Sequence, residues 1–113
     1  MQLIIYPFLI LNFQDVRPEE YTPSYAGSST KIDFLLKIEE LAIESKITRK
    51  NHGEKEIRNE LLVDIATYKN HGDCKGLVCF IYDRDQLFKN KTGFIRDLEH
   101  GSTAKFQVRV FIA

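Results

Sequence analysis

Between Lys31 and Ile47 the chain reads KIDFLLKIEELAIESKI, with apolar and polar positions alternating as strands require. Folded as a β-hairpin, one face carries Ile32, Phe34, Leu36, Leu41, Ile43 and Ile47, and the other carries Lys31, Asp33, Glu44 and Lys46. A two-residue turn at Ile38 and Glu39 would pair Lys37 with Glu40, setting Asp33 opposite Glu44 and Lys31 opposite Lys46. Ile38 is a poor turn residue, so a longer loop is the alternative, and a register slip of two would keep the same faces.

Further along, the period lengthens. Ile57, Leu61, Ile65 and Tyr68 recur every three or four residues, which predicts an amphipathic helix between Gly53 and Asn70. KGLVCFIYD, Lys75 to Asp83, is almost continuously apolar and reads as a central strand buried on both faces. TGFIRDLEHG suits a short helix with Thr92 as N-cap and Gly101 at its C-terminal end, and KFQVRVFIA suits a closing strand. A helix that links the hairpin to a buried strand is a crossover, which implies parallel pairing. The expected fold is α/β, a mixed sheet flanked by helices.

Two N-terminal stretches are less regular. MQLIIYPFLILNF reads as a core-packing helix or strand; Pro7, the absence of a basic start and the absence of a small-residue cleavage site argue against a signal peptide or a spanning helix. NFQDVRPEEYTPSYAGSST, Asn12 to Thr30, holds Pro18, Pro23, Gly27 and a Ser/Thr cluster and reads as a loop.

At 113 residues, 43% hydrophobic and 28% charged, residues 1–113 are expected to form a single domain with an ordinary core. Sixteen basic and sixteen acidic residues cancel, so any electrostatic footprint must be local. Lys46, Arg49, Lys50, Lys55 and Arg58 outweigh Glu54 and Glu56 just beyond the acidic face. A phosphate backbone could lie there, with Arg49, Lys50, Lys55 and Arg58 as candidate nucleic-acid contacts. The plain alternative is a solvated helix start, since Glu54 and Glu56 already complement the helix dipole. Arg84, Lys89, Lys91 and Arg96 form a second basic cluster of equally open meaning.

Cys74 and Cys79 form neither a CxxC pair nor a zinc site and read as reduced thiols of a cytoplasmic protein, Cys79 in the core. His52, His71 and His100 lack metal-ligand spacing and read as surface residues. Asp64 reads as a local cap or pair, and Tyr68 as packing against the sheet. No P-loop, GxGxxG, HExxH or GxSxG pattern is present, so nucleotide binding and serine hydrolysis have no foothold.

The polar face of the hairpin carries the chemistry. Directly opposed side chains lie about 4.5–5.5 Å apart at Cβ, so Asp33 and Glu44 must either repel or share a proton. A divalent cation removes that cost, and Mg²⁺ is usually held by one or two carboxylates with waters and a substrate phosphate. Lys46, two residues beyond Glu44, could orient a water or offset charge developing on phosphorus. The competing reading is a solvated surface on which Lys31 and Lys46 neutralise the acids.

IDFLL followed by IESK resembles the Asp…Glu-x-Lys signature of the PD-(D/E)XK nuclease superfamily, with Asp33, Glu44 and Lys46 at the motif positions. A longer wording also resembles a branch of bacterial nuclease domains often attached to larger proteins. It comprises VRPEEYTPSYAGSSTKIDFLL, then IESK with its basic loop, then ELLVDIATYKNHGDCKGLVCFIYD, and extends over roughly residues 13 to 112. The resemblance implies a restriction-endonuclease-like αβββαβ core and a Mg²⁺-dependent DNA endonuclease, with Mn²⁺ as a substitute, serving bacterial restriction or phage defence. By the same resemblance Asp33 and Glu44 bind metal, Lys46 assists the water, and Glu20, or alternatively Glu19, adds a further acid. Ser45 departs from the apolar residue usual at its position. Other readings are a nuclease-like fold turned binding or interaction module, a homodimer, and a segment of a longer chain whose other domain supplies target recognition.

Overall fold

The alternating segment folds as an antiparallel hairpin of β2 (Lys31–Leu36) and β3 (Leu41–Ile47), with Phe34 opposite Ile43, Leu35 opposite Ala42 and Leu36 opposite Leu41. This is the expected register. The connection is a four-residue turn, Lys37–Glu40, rather than a two-residue one, and Glu40 closes it in the left-handed region at φ 59°. Two-residue hairpin turns need residues that accept positive φ, which the β-branched Ile38 does not. Lys37 pairs with Asp73, and Lys75 donates its backbone N–H to the Glu40 carbonyl, so the turn is tied to the chain leading into the next strand.

The computed structural model describes residues 2–21 and 31–113, without the side chains of residues 2, 3, 19–21 and 31. In chain order, the other elements are α1 (Gln2–Asn12), β1 (Val16–Tyr21), α2 (Glu54–Tyr68), β4 (Gly76–Tyr82), α3 (Lys91–Glu99) and β5 (Gln107–Ile112). The five-stranded sheet has the order β1-β2-β3-β4-β5. Its first three strands pair antiparallel, and β3, β4 and β5 pair parallel, as the crossover implied. The element order and mixed sheet match a restriction-endonuclease-like αβββαβ core.

β1 occupies part of the expected loop. Pro18, which suggested a loop, has no N–H to donate, but β1 is an edge strand and needs partners on one side only.

Helices α2 and α3 cover one face, where Ile57, Leu61, Ile65 and Tyr68 pack with Leu35, Ala42, Leu77 and Val108. The Gly53 N–H donates to the Glu56 carboxylate at 3.3 Å as α2 begins. The N-cap of α3 is Asn90, not Thr92: its side chain accepts the Gly93 N–H at 2.9 Å. A Cβ on Gly93 would lie 2.4 Å from Asn90 Nδ2, so the cap fits because residue 93 is glycine.

On the other face α1 packs over Phe34, Leu36 and Ile43, with Leu9 buried and Tyr6 stacked on Phe34 at 5.6 Å. The core-packing expectation holds for this stripe alone, since Ile4, Phe8, Ile10 and Leu11 are exposed. β4 is likewise buried on one face rather than both, because α1 does not reach Phe80 and Tyr82, which stay exposed. Ile32, beyond the last β2–β3 pair, joins the α2 side of the core instead of the α1 side. Among the described residues no helix is long and apolar enough to cross a membrane.

Candidate active site

β2 and β3 bring Asp33 and Glu44 together just past their last paired residues, where the Ser45 N–H donates to Asp33 Oδ2 at 3.3 Å. Glu44 is buried, and its carboxyl is pushed up to about 9, first by desolvation, then by the charge of Asp33 and a hydrogen bond between the two acids. The Tyr68 hydroxyl donates to Glu44 Oε1 and pulls the other way, without reversing the shift. The environment therefore favours the protonated form of Glu44 near neutral pH. Burial and the carboxyl of Glu44 push the Tyr68 hydroxyl up, which keeps it a donor.

Lys46 points the same way from β3. Its Nζ lies 3.2 Å from Asp64 Oδ2 and 3.7 Å from Glu60 Oε1, and Glu60 Oε1 lies 3.0 Å from His52 Nε2. Lys46 and Asp64 thus form a close ion pair in which the ammonium can donate to the carboxylate. Burial draws the Lys46 ammonium down, but Asp64, Glu44 and Glu60 outweigh it and hold the group above its ordinary range. Burial raises the Asp64 carboxyl, an effect Lys46 opposes only in part.

The arrangement follows from two periods. Glu60, Asp64 and Tyr68 stand four residues apart and share one face of α2, while Glu44 and Lys46 stand two apart on one face of β3. Asp64 thus meets Lys46 and Tyr68 meets Glu44. Sequence reasoning missed Asp64, Glu60 and His52 as members of the site, and saw in Tyr68 only its packing. One signal was available: a carboxylate on the buried stripe of a helix needs a buried partner.

A cavity of about 440 Å³ opens over these groups, lined by Asp33, Glu44, Ser45, Lys46, His52 and Glu60, with Ile47, Arg49 and Arg84 at its wall. Of the four candidate nucleic-acid contacts, only Arg49 reaches it. Lys50 and Lys55 are exposed elsewhere, and Arg58 lies over the Phe94 ring at 5.3 Å. Arg84, from the second basic cluster, joins Arg49. His52 lines the cavity instead of the outer surface, and His71 is buried because its Nδ1 accepts the Asp73 N–H at 3.0 Å in the turn after α2; His100 is exposed as expected. Glu20 sits on strand β1 opposite Ile32, and its side chain, like that of Glu19, lies outside the described residues. Both cysteines are free and buried, with Cys79 opposite Glu44 on the neighbouring strand.

Asp33 and Glu44 suit a hard divalent cation: they are oxygen donors in contact, and burial together with the charge of Asp33 holds Glu44 neutral. Among the described residues no group of three or more His, Cys, Asp or Glu could hold a metal. Two carboxylates, completed by water and phosphate oxygens, are a sufficient set for Mg²⁺ and a poor one for zinc.

Over residues 1–113 the chain matches the family model described as REase_DpnII-MboI. It belongs to this restriction endonuclease family. Membership in REase_DpnII-MboI bears out the PD-(D/E)XK resemblance, carries nuclease function with DNA as substrate, and places the chain in a class that typically uses divalent metals. No curated protein and no solved structure matches it.

Proposed function

We propose that this REase_DpnII-MboI domain is a Mg²⁺-dependent endonuclease that hydrolyses DNA phosphodiesters through Asp33, Glu44 and Lys46, in bacterial restriction or phage defence in the cytoplasm. The observation that carries the reading is the convergence of two carboxylates, one of them pushed up by burial and by its neighbour, with a lysine in one cavity.

Asp33 and Glu44 would hold the ion, with Glu20 as a further acid. A bound Mg²⁺ supplies Lewis-acid polarisation of a phosphoryl oxygen and lowers the pKa of water. Asp64 and Glu60 hold the Lys46 ammonium beside Glu44, where it orients the attacking water and offsets negative charge building on phosphorus. Arg49 and Arg84 at the cavity wall bind flanking phosphates. Mn²⁺ would substitute for Mg²⁺ on the same oxygen donors.

Calorimetric titration with Mn²⁺ and cleavage of supercoiled plasmid test the assignment. Binding that vanishes in Asp33→Ala, together with cleavage that vanishes in Lys46→Ala while the metal still binds, is the expected result. A wild-type protein that binds neither Mg²⁺ nor Mn²⁺ would overturn it in favour of a nuclease-like interaction module.

A further inference from the structure

The turn that joins β3 to α2 delivers a histidine to the catalytic cavity. Arg49 and His52 exchange both backbone hydrogen bonds, at 3.0 and 2.9 Å, and Asn51 takes the positive φ, 63°, that a tight turn of this kind needs at its third residue. The loop after β4 braces both ends of the turn. The Thr48 hydroxyl accepts the Asp85 N–H at 3.2 Å, and a Cβ on Gly53 would come within 3.2 Å of the Leu87 side chain. Held this way, the side chains of Arg49 and His52 line the cavity that contains Asp33, Glu44 and Lys46.

His52 Nε2 lies 3.0 Å from Glu60 Oε1, the oxygen that also lies 3.7 Å from Lys46 Nζ. Glu60 thus takes one ring nitrogen and leaves Nδ1, which has no hydrogen-bond partner among the described residues, to meet a ligand. The backbone bonds of the turn need no imidazole, and a histidine–carboxylate pair this exposed adds little stability. What the ring adds is a proton that can be given and retaken near neutral pH. No other described group on the cavity wall offers one. Despite burial, Lys46 is held above its ordinary range by Asp64, Glu44 and Glu60; the guanidinium groups of Arg49 and Arg84 do not release protons; and Asp33 and Glu44 are committed to the ion in the proposed site.

The geometry points to His52 as the general acid of phosphodiester hydrolysis, donating a proton from Nδ1 to the departing sugar oxygen while Glu60 fixes the ring through Nε2. This role rests on the nuclease reading of the site. As the oxygen of the attacking water bonds to phosphorus, the bond from phosphorus to the sugar oxygen breaks, and its electron pair leaves with that oxygen. One water proton passes to solvent, the Nδ1 proton passes to the departing oxygen, and neutral His52 regains a proton from solvent. The products are a phosphate monoester and a free hydroxyl. Attacking and departing oxygens lie roughly in line through phosphorus, so each needs its own partner. Lys46 serves the first and His52 the second.

Sulfur in place of the departing oxygen tests the role, because a thiolate, with an ordinary pKa of about 8.5, departs without a proton. Single-turnover cleavage with Mn²⁺ is measured on duplexes spanning a bond that the wild type cuts in plasmid, with oxygen or sulfur at the bridging position that breaks. His52→Ala and His52→Gln should each slow the oxygen substrate about a hundredfold and the sulfur substrate by no more than about threefold. Gln can still donate to Glu60, so its loss of rate separates proton transfer from a structural contact. Lys46→Ala should slow both substrates alike. Wild-type Mn²⁺ affinity identifies a folded variant, and either histidine substitution alone carries the test. Variants that cut the oxygen substrate at the wild-type rate, or that lose rate equally on both substrates, would overturn the acid role and leave the nuclease reading standing. A wild type that cuts no DNA would overturn both.

Discussion

Replacing Glu44 with Gln should make the metal-free protein more stable, and increasingly so as pH rises. Glu44 titrates at about 9 in the fold against an ordinary value of 4.5, so between those values the folded chain keeps a proton that the unfolded chain releases. Where the native state binds more protons, stability falls as pH rises. For this buried carboxyl the contribution is complete below 4.5 and drains away up to about 9. Each pH unit is worth about 1.4 kcal/mol, so at pH 7 the wild type has lost roughly 3 kcal/mol relative to a side chain that cannot ionise. Gln keeps both neighbours: its carbonyl can accept from the Tyr68 hydroxyl, and its NH₂ can donate to Asp33. Urea unfolding in chelator at several pH values between 5 and 9 measures the difference, which should grow with pH. At pH 7 it should correspond to a melting temperature about 10 °C higher for Glu44→Gln, at roughly 4 °C per kcal/mol for a chain of this size. Saturating Mg²⁺ should then stabilise the wild type and not the variant. A stability difference that stays flat across the pH range would refute the reasoning, because it would mean that Glu44 is already ionised in the apo fold.

The same proton should appear in metal binding. At pH 7 Mn²⁺ must displace about one proton from the acidic pair, so binding heats should scale with buffer ionisation enthalpy and affinity should rise towards pH 9; buffer-independent heats would contradict this. Asp64→Asn removes the charge that anchors Lys46, and should cost about 1–3 kcal/mol in urea unfolding and lower plasmid cleavage while leaving Mn²⁺ affinity within a few-fold. Arg84→Ala should weaken DNA binding and reduce the slope of log affinity against log salt by about one without changing metal affinity; an unchanged slope would remove Arg84 from the phosphate path.

The hairpin and its acidic face were legible because alternation at period two is a local signal, and the β2–β3 register keeps the pairing that the sequence implies even though the turn differs. β1 was not, because a proline looks the same in a loop as on a sheet edge, and only the sheet order tells them apart. The exposure of α1 was hidden for a similar reason: apolar content predicts burial only where another surface is present to receive it. The site was half readable. Asp33, Glu44 and Lys46 lie within one hairpin, whereas Tyr68 meets Glu44 across 24 positions and a crossover helix. The four-residue spacing of Glu60, Asp64 and Tyr68 was visible, but what that row faces depends on how α2 lies on the sheet.

The turn from Lys37 to Glu40 touches no group with a chemical role, yet it sets the phase of the whole hairpin. Side chains on a strand alternate, so a slip of β3 by a single residue against β2 would invert it, sending Glu44 and Lys46 to the α1 side and Ile43 into their place. The left-handed Glu40, tied through Lys75 to the chain before β4, is the latch that holds β3 in the phase the acid pair requires.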